Sequence, residues 1–366
     1  SLQVLGCRVA GHPVWVERIG PCSQTLVNHP VRPVRRPRSI RAQPVPPFIH
    51  FAHAFSSVPP LPVSPITNSR TRFPQSDLRP SLEPVLIAQI SDCHIRDHDS
   101  AFGRLVDTSE TLRRVVDQLL ALEPAPDVIL ATGDLTDDGT PPQYATLRDT
   151  LAPIAERVVP LPGNHDEGSA FRLAFADLLP DNMATDHCSY VVDQFPVRLV
   201  GLDTTLPGRH DGRFDPVREE WLDQALSTDD RPTVVFTHFP PFETGLSFMD
   251  QAGVADADRL RATIERHPQV RLLVAGHLHR PIQTTIGTTL VSTCPSTGNQ
   301  LNLDLHPDRA AAVNEPPGFQ LHRWDGERFV THTGVVRDPA VVRTVDLGHF
   351  AAEVRRRHDA GEPFTK

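Results

Sequence analysis

The sequence has no apolar run approaching the ~20 residues a membrane-spanning helix needs, so no membrane role is expected. Cysteine is sparse. The five present, Cys7, Cys22, Cys93, Cys188 and Cys294, form no Cys-x-x-Cys pair and are odd in number. That pattern is not a disulfide framework and points to a reducing compartment, the cytoplasm. Acidic residues are missing between Arg18 and Ser76. Residues 1–80 hold ten arginines against Glu17 and Asp77, a charge of +8, which leaves 26 basic and 43 acidic groups, or −17, for the rest. The overall formal charge of −9 argues against a general nucleic-acid binder, whose affinity comes from clustered Lys and Arg. No internal repeat is visible.

At 366 residues the chain can bury a core of one or two domains. Residues 1–80 are rich in Pro and Arg and lack periodic apolar patterning, so they read as a disordered extension. Arg35-Arg36 precedes a modestly apolar segment near Phe48 to Phe55, but His50, His53 and the prolines interrupt it, and it is not read as an export signal. His12, His29, His50 and His53 receive no role.

The folded body spans 81–340. Val85 to Ile90 reads as a strand buried on both faces, 104–122 has helical spacing, and 127–132 is a second strand. A helix opens at Pro141-Pro142, since Pro suits a helix's first turn, and 158–161 completes a β-α-β-α-β series. Residues 168–182 read as a short helix, with 168–186 a candidate cap over the site. Strands at 188–193 and 197–202 form a hairpin, Asp215-Pro216 starts a helix, and strand, helix and strand recur at 233–237, 256–266 and 270–275. From Pro281 the pattern changes to short β segments (282–286, 289–293, 318–324, 328–335), expected to form a further sheet within 281–336. Residues 341–366 are a tail with a helix at 348–358.

Five of these segments end in ligand-type residues. Val85 to Ile90 runs into Asp92-Cys93-His94, and 127–132 into Gly133-Asp134. The strand at 158–161 leads to Gly163-Asn164-His165-Asp166, 233–237 to His238, and 270–275 to Gly276-His277-Leu278-His279. Ligand sites in open α/β sheets lie beyond the carboxyl ends of the strands, so five such endings describe one site. Asp92 and His94 at i and i+2 share a face of an extended segment, as do His277 and His279. Carboxylate, imidazole and amide donors without thiolate suit Fe, Mn, Zn or Co rather than structural zinc. Asp134 is the best candidate for a carboxylate shared by two ions.

These residues, in order and without a missing member, resemble the calcineurin-like metallophosphoesterases, whose pattern is D-x-H, G-D, G-N-H-D/E, H, G-H-x-H. The resemblance covers roughly 81–335. Gly201-Leu202-Asp203-Thr204, Pro207-Gly208, Trp221-Leu222 and His238-Phe239-Pro240-Pro241 are similar to the class III cyclic-nucleotide phosphodiesterase and glycerophosphodiesterase branch, as are Cys294-Pro295-Ser296-Thr297 and Pro317-Gly318-Phe319. The fold it implies is a four-layer α/β/β/α sandwich with two central mixed β-sheets. It implies that Asp92, His94 and His279 hold one ion, that Asn164, His238 and His277 hold the second, and that Asp134 bridges them. Two ions would lower the pKa of a bridging water, generating hydroxide for in-line attack on phosphorus, and bring positive charge to an acidic body. The implied substrate is 3′,5′-cyclic AMP or a related small phosphodiester; glycerophosphodiesters, phosphomonoesters or nucleotide anhydrides stay open, and a non-catalytic scaffold is the remaining alternative. It also implies a homodimer or higher oligomer.

By the same resemblance His165, with Asn164, contacts the substrate phosphate, and His165 protonates the departing alkoxide; the alternative is a histidine that only orients Asn164. Asp166 is expected behind the ligands as a partner for a histidine. Asp137, Asp138 and Asp203 either line the pocket or make local backbone bonds. Arg209 and His210 either meet a substrate base or glycerol or face solvent. Cys93 reads as a small buried filler.

Overall fold

The computed structural model describes residues 5–9, 12–16, 84–100, 102–307, 309–337 and 347–360. The chain divides into two units, of which Arg18–Asp77 lies outside the described residues. Within 1–80, read from the sequence as an extension without elements, the described residues form one antiparallel hairpin, β1 (Leu5–Val9) with β2 (His12–Val16).

In the body, β3 (Val85–Ile90), β4 (Val128–Thr132) and β5 (Val158–Leu161) pair in parallel. Their crossovers are α1 (Thr108–Leu120), capped by the Asp107 side chain, and α2 (Pro141–Leu151), which opens on its two prolines. After α3 (Gly168–Ala174) come β6 (Tyr190–Val192), β7 (Arg198–Leu202) and the short β8 (Gly212–Arg213). Then follow α4 (Pro216–Ser227), capped by Asp215, β9 (Thr233–Thr237), α5 (Ser247–Asp250), β10 (Val254–Ala255), α6 (Ala257–Arg266) and β11 (Val270–Ala275). The remainder supplies β12 (Gln283–Ile286), β13 (Thr289–Thr293), β14 (Gln300–Leu301), β15 (Ala312–Val313), β16 (Gly318–Trp324), β17 (Phe329–Val335) and α7 (Leu347–Ala360).

Two mixed sheets result, in the orders β17-β16-β3-β4-β5 and β12-β13-β11-β9-β7-β6. The expectation of a separate sheet after Pro281 is corrected here. β12 and β13 extend one central sheet, and the β16–β17 hairpin pairs antiparallel with β3 to extend the other. Among the described residues after Pro281, only β14 and β15 stand apart, as a two-stranded pair.

Alternation along the strands explains the layering, because successive side chains point to opposite faces. Val128 and Leu130 meet Val234, Phe236, Leu272 and Val274 between the sheets. Ile129 and Ala131 turn outward onto Leu112, Val116 and Leu147 of α1 and α2. Val235 and Leu273 turn outward onto Leu222 and Leu260 of α4 and α6. Helices therefore cover both outer faces of two packed sheets, the four layers the resemblance implies. The segment expected over the site, 168–186, opens with α3 and packs Phe171 and, just past the helix, Phe175 into the core with Tyr144 of α2. Among the described residues no helix is long and apolar enough to cross a membrane.

Candidate metal centre

The carboxyl ends of β3, β4, β5, β9 and β11 converge. Beyond β3 and β4 the backbones stay paired: the Asp92 N–H donates to Gly133 O at 3.0 Å and the His94 N–H to Asp134 O at 2.9 Å. Asp92, His94, Asp134, His277 and His279 all have positive φ, between 43° and 69°. Such left-handed backbone costs a non-glycine residue roughly 1–3 kcal/mol each and gathers where a site over-determines the geometry. Two motif glycines are required by close approach. A Cβ on Gly163 would collide with the Asp134 backbone and carboxylate, and one on Gly276 with the Ser91 hydroxyl.

Two buried donor groups form at these ends, Asp92 with His94 and His279, and Asp134 with His238 and His277. His94 Nε2 lies 3.1 Å from His279 Nε2, and His279 Nε2 lies 3.5 Å from Asp92 Oδ1. Asp134 Oδ2 lies 3.3 Å from His238 Nε2 and 3.6 Å from His94 Nε2, so this carboxylate stands between the groups. Asn164 Oδ1 lies 3.1 Å from His238 Nε2. The inner nitrogens are tethered by main-chain oxygens: His238 Nδ1 lies 2.9 Å from Thr132 O and His279 Nδ1 2.7 Å from Asn299 O. A ring nitrogen facing a carbonyl carries a proton, so Nε2 is the nitrogen that can offer a lone pair to the cluster once a bound cation replaces its proton.

The electrostatics of the cluster call for cations. Burial pushes the Asp92 carboxyl up to about 6, with the neighbouring Asp134 charge adding to it. Burial opposes charge on His238, but Asp134 outweighs it and lifts that imidazole to about 9. Burial and the His238 charge push His277 down to about 3. Buried carboxylates thus draw in whatever positive charge is at hand, and divalent ions are the natural source. His277 Nε2 supplies the test of fit: it is buried and has no hydrogen-bond partner among the described residues. A buried unpaired nitrogen is costly unless something ligates it, and the oxygen and imidazole donors around it suit two such ions.

Other site residues fall into place around this cluster. His165 lies at its mouth, its N–H donating to Asp134 Oδ1 at 2.8 Å and its Nδ1 lying 2.8 Å from Asp137 O. His210 is exposed and comes within 3.5 Å of Asn164 Nδ2, its ring 5.1 Å from that of His165. The sequence reading expects Asp166 to partner a histidine, but among the described residues it does not. It accepts instead from the N–H groups of Gly163, Leu135 and Thr136 and from the hydroxyls of Thr136 and Tyr144, tying the two ligand loops together. Three backbone donors within reach outcompete any imidazole for that carboxylate. Asp138 bonds Gln143, Asp203 accepts from the N–H groups of Thr205 and the more distant Cys188, and Arg209 pairs with Asp211. Cys93 is fully buried, and burial pushes its thiol up to about 12, consistent with an inert filler.

Sequence reasoning misses the role of Asp137. Its Oδ1 lies 3.0 Å from His94 Nδ1 and 3.3 Å from Arg96, while its carbonyl faces His165. The pairing of β3 with β4 carries on past both strand ends through the Ile95–Thr136 bridge, which sets Asp137 beside His94. Extending that register was the available signal.

The family model described as calcineurin-like phosphoesterase matches residues 85–281. The chain belongs to that family. It is a hydrolase acting on phosphate esters. It is 32% identical over 258 residues to the probable glycerophosphodiester phosphodiesterase GpdQ of Arcobacter nitrofigilis, covering 69% of this chain and 93% of that one. It is also 32% identical over 267 residues to the 3′,5′-cyclic adenosine monophosphate phosphodiesterase CpdA of Pseudomonas aeruginosa, covering 72% and 93%. The purple acid phosphatase PPD1 from yellow lupin seeds shares the fold, with a TM-score of 0.54 at 14% identity over 72% of this phosphoesterase and 53% of that chain.

Proposed function

We propose that this phosphoesterase is a di-metal phosphodiesterase acting on a small phosphodiester, with 3′,5′-cyclic AMP or a related cyclic nucleotide as the leading substrate. One observation carries the reading: Asp134 Oδ2 stands within 3.6 Å of histidines from both donor groups. Asp92, His94 and His279 would hold one ion, Asn164, His238 and His277 the other, and Asp134 would bridge them. Fe or Mn fits these donors, with Zn and Co as alternatives. When bound, the ions supply water activation and neutralise charge on the phosphoryl oxygens.

The chain's own residues do the rest. Because the Asp137 carbonyl can only accept, His165 donates to it from Nδ1, which leaves Nε2 to face the substrate. As an imidazolium, His165 donates its Nε2 proton to the leaving alkoxide; as neutral imidazole it accepts a hydrogen bond from the product. Asn164 turns its Oδ1 to His238 and its amide nitrogen towards His210, on the side open to substrate. The likeness to proteins named GpdQ favours one second reading, a glycerophosphodiester as substrate. A substrate panel with Mn-loaded protein, paired with metal analysis, tests both. Faster turnover of cyclic AMP than of glycerophosphodiesters and monoesters is expected. Faster turnover of monoesters than of any diester would overturn the proposal.

A further inference from the structure

The loop that carries His210 is held by a buried cation. Arg218, on the first turn of α4 and only 8% exposed, donates from Nε to the Asp203 carbonyl at 2.8 Å and from Nη2 to the Thr205 carbonyl at 2.9 Å. Its Nη1 donates to Asp215 Oδ2 at 2.7 Å, and Asp215 Oδ1 caps the same helix by accepting the Arg218 N–H. The charge is therefore paired and three sides of the guanidinium are used, a fork that no other side chain reproduces. Asp203 locks the same stretch from the other side, accepting from Cys188 N, Thr205 N and the Thr205 hydroxyl. The outgoing limb is tied down where the Arg213 N–H donates to Thr204 O and the Gly212 N–H to Gly253 O.

Between these ties, residues 206–211 turn through Pro207 and Gly208, whose φ is +70°, and hold His210 beside Asn164 and His165. None of those six residues is buried. The position of His210 then depends on the base of its loop rather than on packing of its own. We infer that Arg218 is a positioning residue for the substrate side of the site, clamping the base of the loop so that His210 stands where the phosphodiester docks. This rests on the proposed phosphodiesterase reading and on the first of the two sequence expectations for His210, that it meets the substrate rather than bulk solvent.

The test compares wild type, His210→Ala, Arg218→Met and the double variant with bis(p-nitrophenyl) phosphate, alongside metal content. Each single variant is expected to raise KM roughly tenfold, the worth of one well-aimed polar contact, with kcat and metal content little changed. The double variant is expected to match His210→Ala alone, since residues acting through one another are not additive. Additive losses, or a KM that rises only in His210→Ala, would overturn the clamp and leave the His210 contact standing. An unchanged KM in His210→Ala would instead overturn the contact and the clamp together. Should Arg218→Met fail to fold, Arg218→Lys keeps a charge against Asp215 but cannot span both carbonyls. It should show the same rise in KM, and wild-type KM in that variant would sink the inference.

Discussion

Asp134 and His165 are joined by a 2.8 Å hydrogen bond from the His165 main-chain N–H to Oδ1 of the carboxylate. The other oxygen of Asp134 faces His238 and His94. One side chain thus fixes the backbone of the candidate acid and spans both donor groups. Asp134→Asn keeps an acceptor for the His165 N–H but removes the charge that two cations would share. Metal content, read by elemental analysis, should fall from two ions per chain towards one or none, with activity down by more than about 100-fold, the upper end for losing even an indirect metal contact. Retention of two ions with normal turnover would refute the bridge.

His165→Ala separates chemistry from assembly. The Nδ1 of His165 bonds the Asp137 carbonyl and the ring packs edge-on against His94 at 4.7 Å, but it is not one of the proposed ligands, so the two ions should stay bound. Losing a general acid costs about 100- to 10,000-fold in rate, and the loss should appear in kcat. A substrate with a good leaving group, such as a nitrophenyl ester, needs little protonation and should lose less. Metal loss on this substitution would mark the residue as structural instead.

Asp137 contributes from behind His94, where its carboxylate receives the ring Nδ1 and is itself steadied by Arg96. Hydrogen-bonded carboxylates raise the basicity of a ligating imidazole and hold its orientation, and their removal typically weakens metal binding by roughly 10- to 100-fold. Asp137→Ala should therefore require higher Mn concentrations for full activity while kcat at saturation changes little. Unchanged metal affinity, measured by competition with a chelator, would show that His94 needs no such support.

Much of this was legible beforehand, for reasons particular residues make plain. Val158–Leu161, Thr233–Thr237 and Val270–Ala275 are short, mostly apolar runs between turn residues, so their bounds can be read directly, as can the Asn164, His238 and His277 that follow them. The membership of β12, β13, β16 and β17 could not be read. Short alternating strands announce themselves without naming their neighbour, and β16 finds its partner β3 more than two hundred residues earlier in the chain. Asp166 misled for a similar reason. Whether a carboxylate serves a histidine or three backbone N–H groups depends on how two loops meet, and adjacency in sequence carries no record of that. Asp137 and Arg218 act through carbonyls as well as side chains, which no motif encodes.

Between the two sheets His322 sits fully buried, its Nε2 3.2 Å from Gln89 Oε1 and its Nδ1 2.9 Å from the Thr331 hydroxyl. Burial pushes its pKa down to about 3, against about 6.5 for an imidazole in an unfolded chain. Between those values the unfolded chain binds a proton that the folded chain refuses, so stability falls as pH drops below about 6.5 and is unaffected above it. The slope from one such group is at most about 1.4 kcal/mol per pH unit. His322→Gln removes the titrating group while keeping polar atoms for Gln89 and Thr331. Urea unfolding of both proteins at pH 7.5 and pH 5 should show a smaller loss of stability on acidification in the variant, and the difference cancels what other histidines contribute. Equal losses in the two proteins would mean that His322 can be protonated without opening the fold, through a path that lets water reach the space between the sheets.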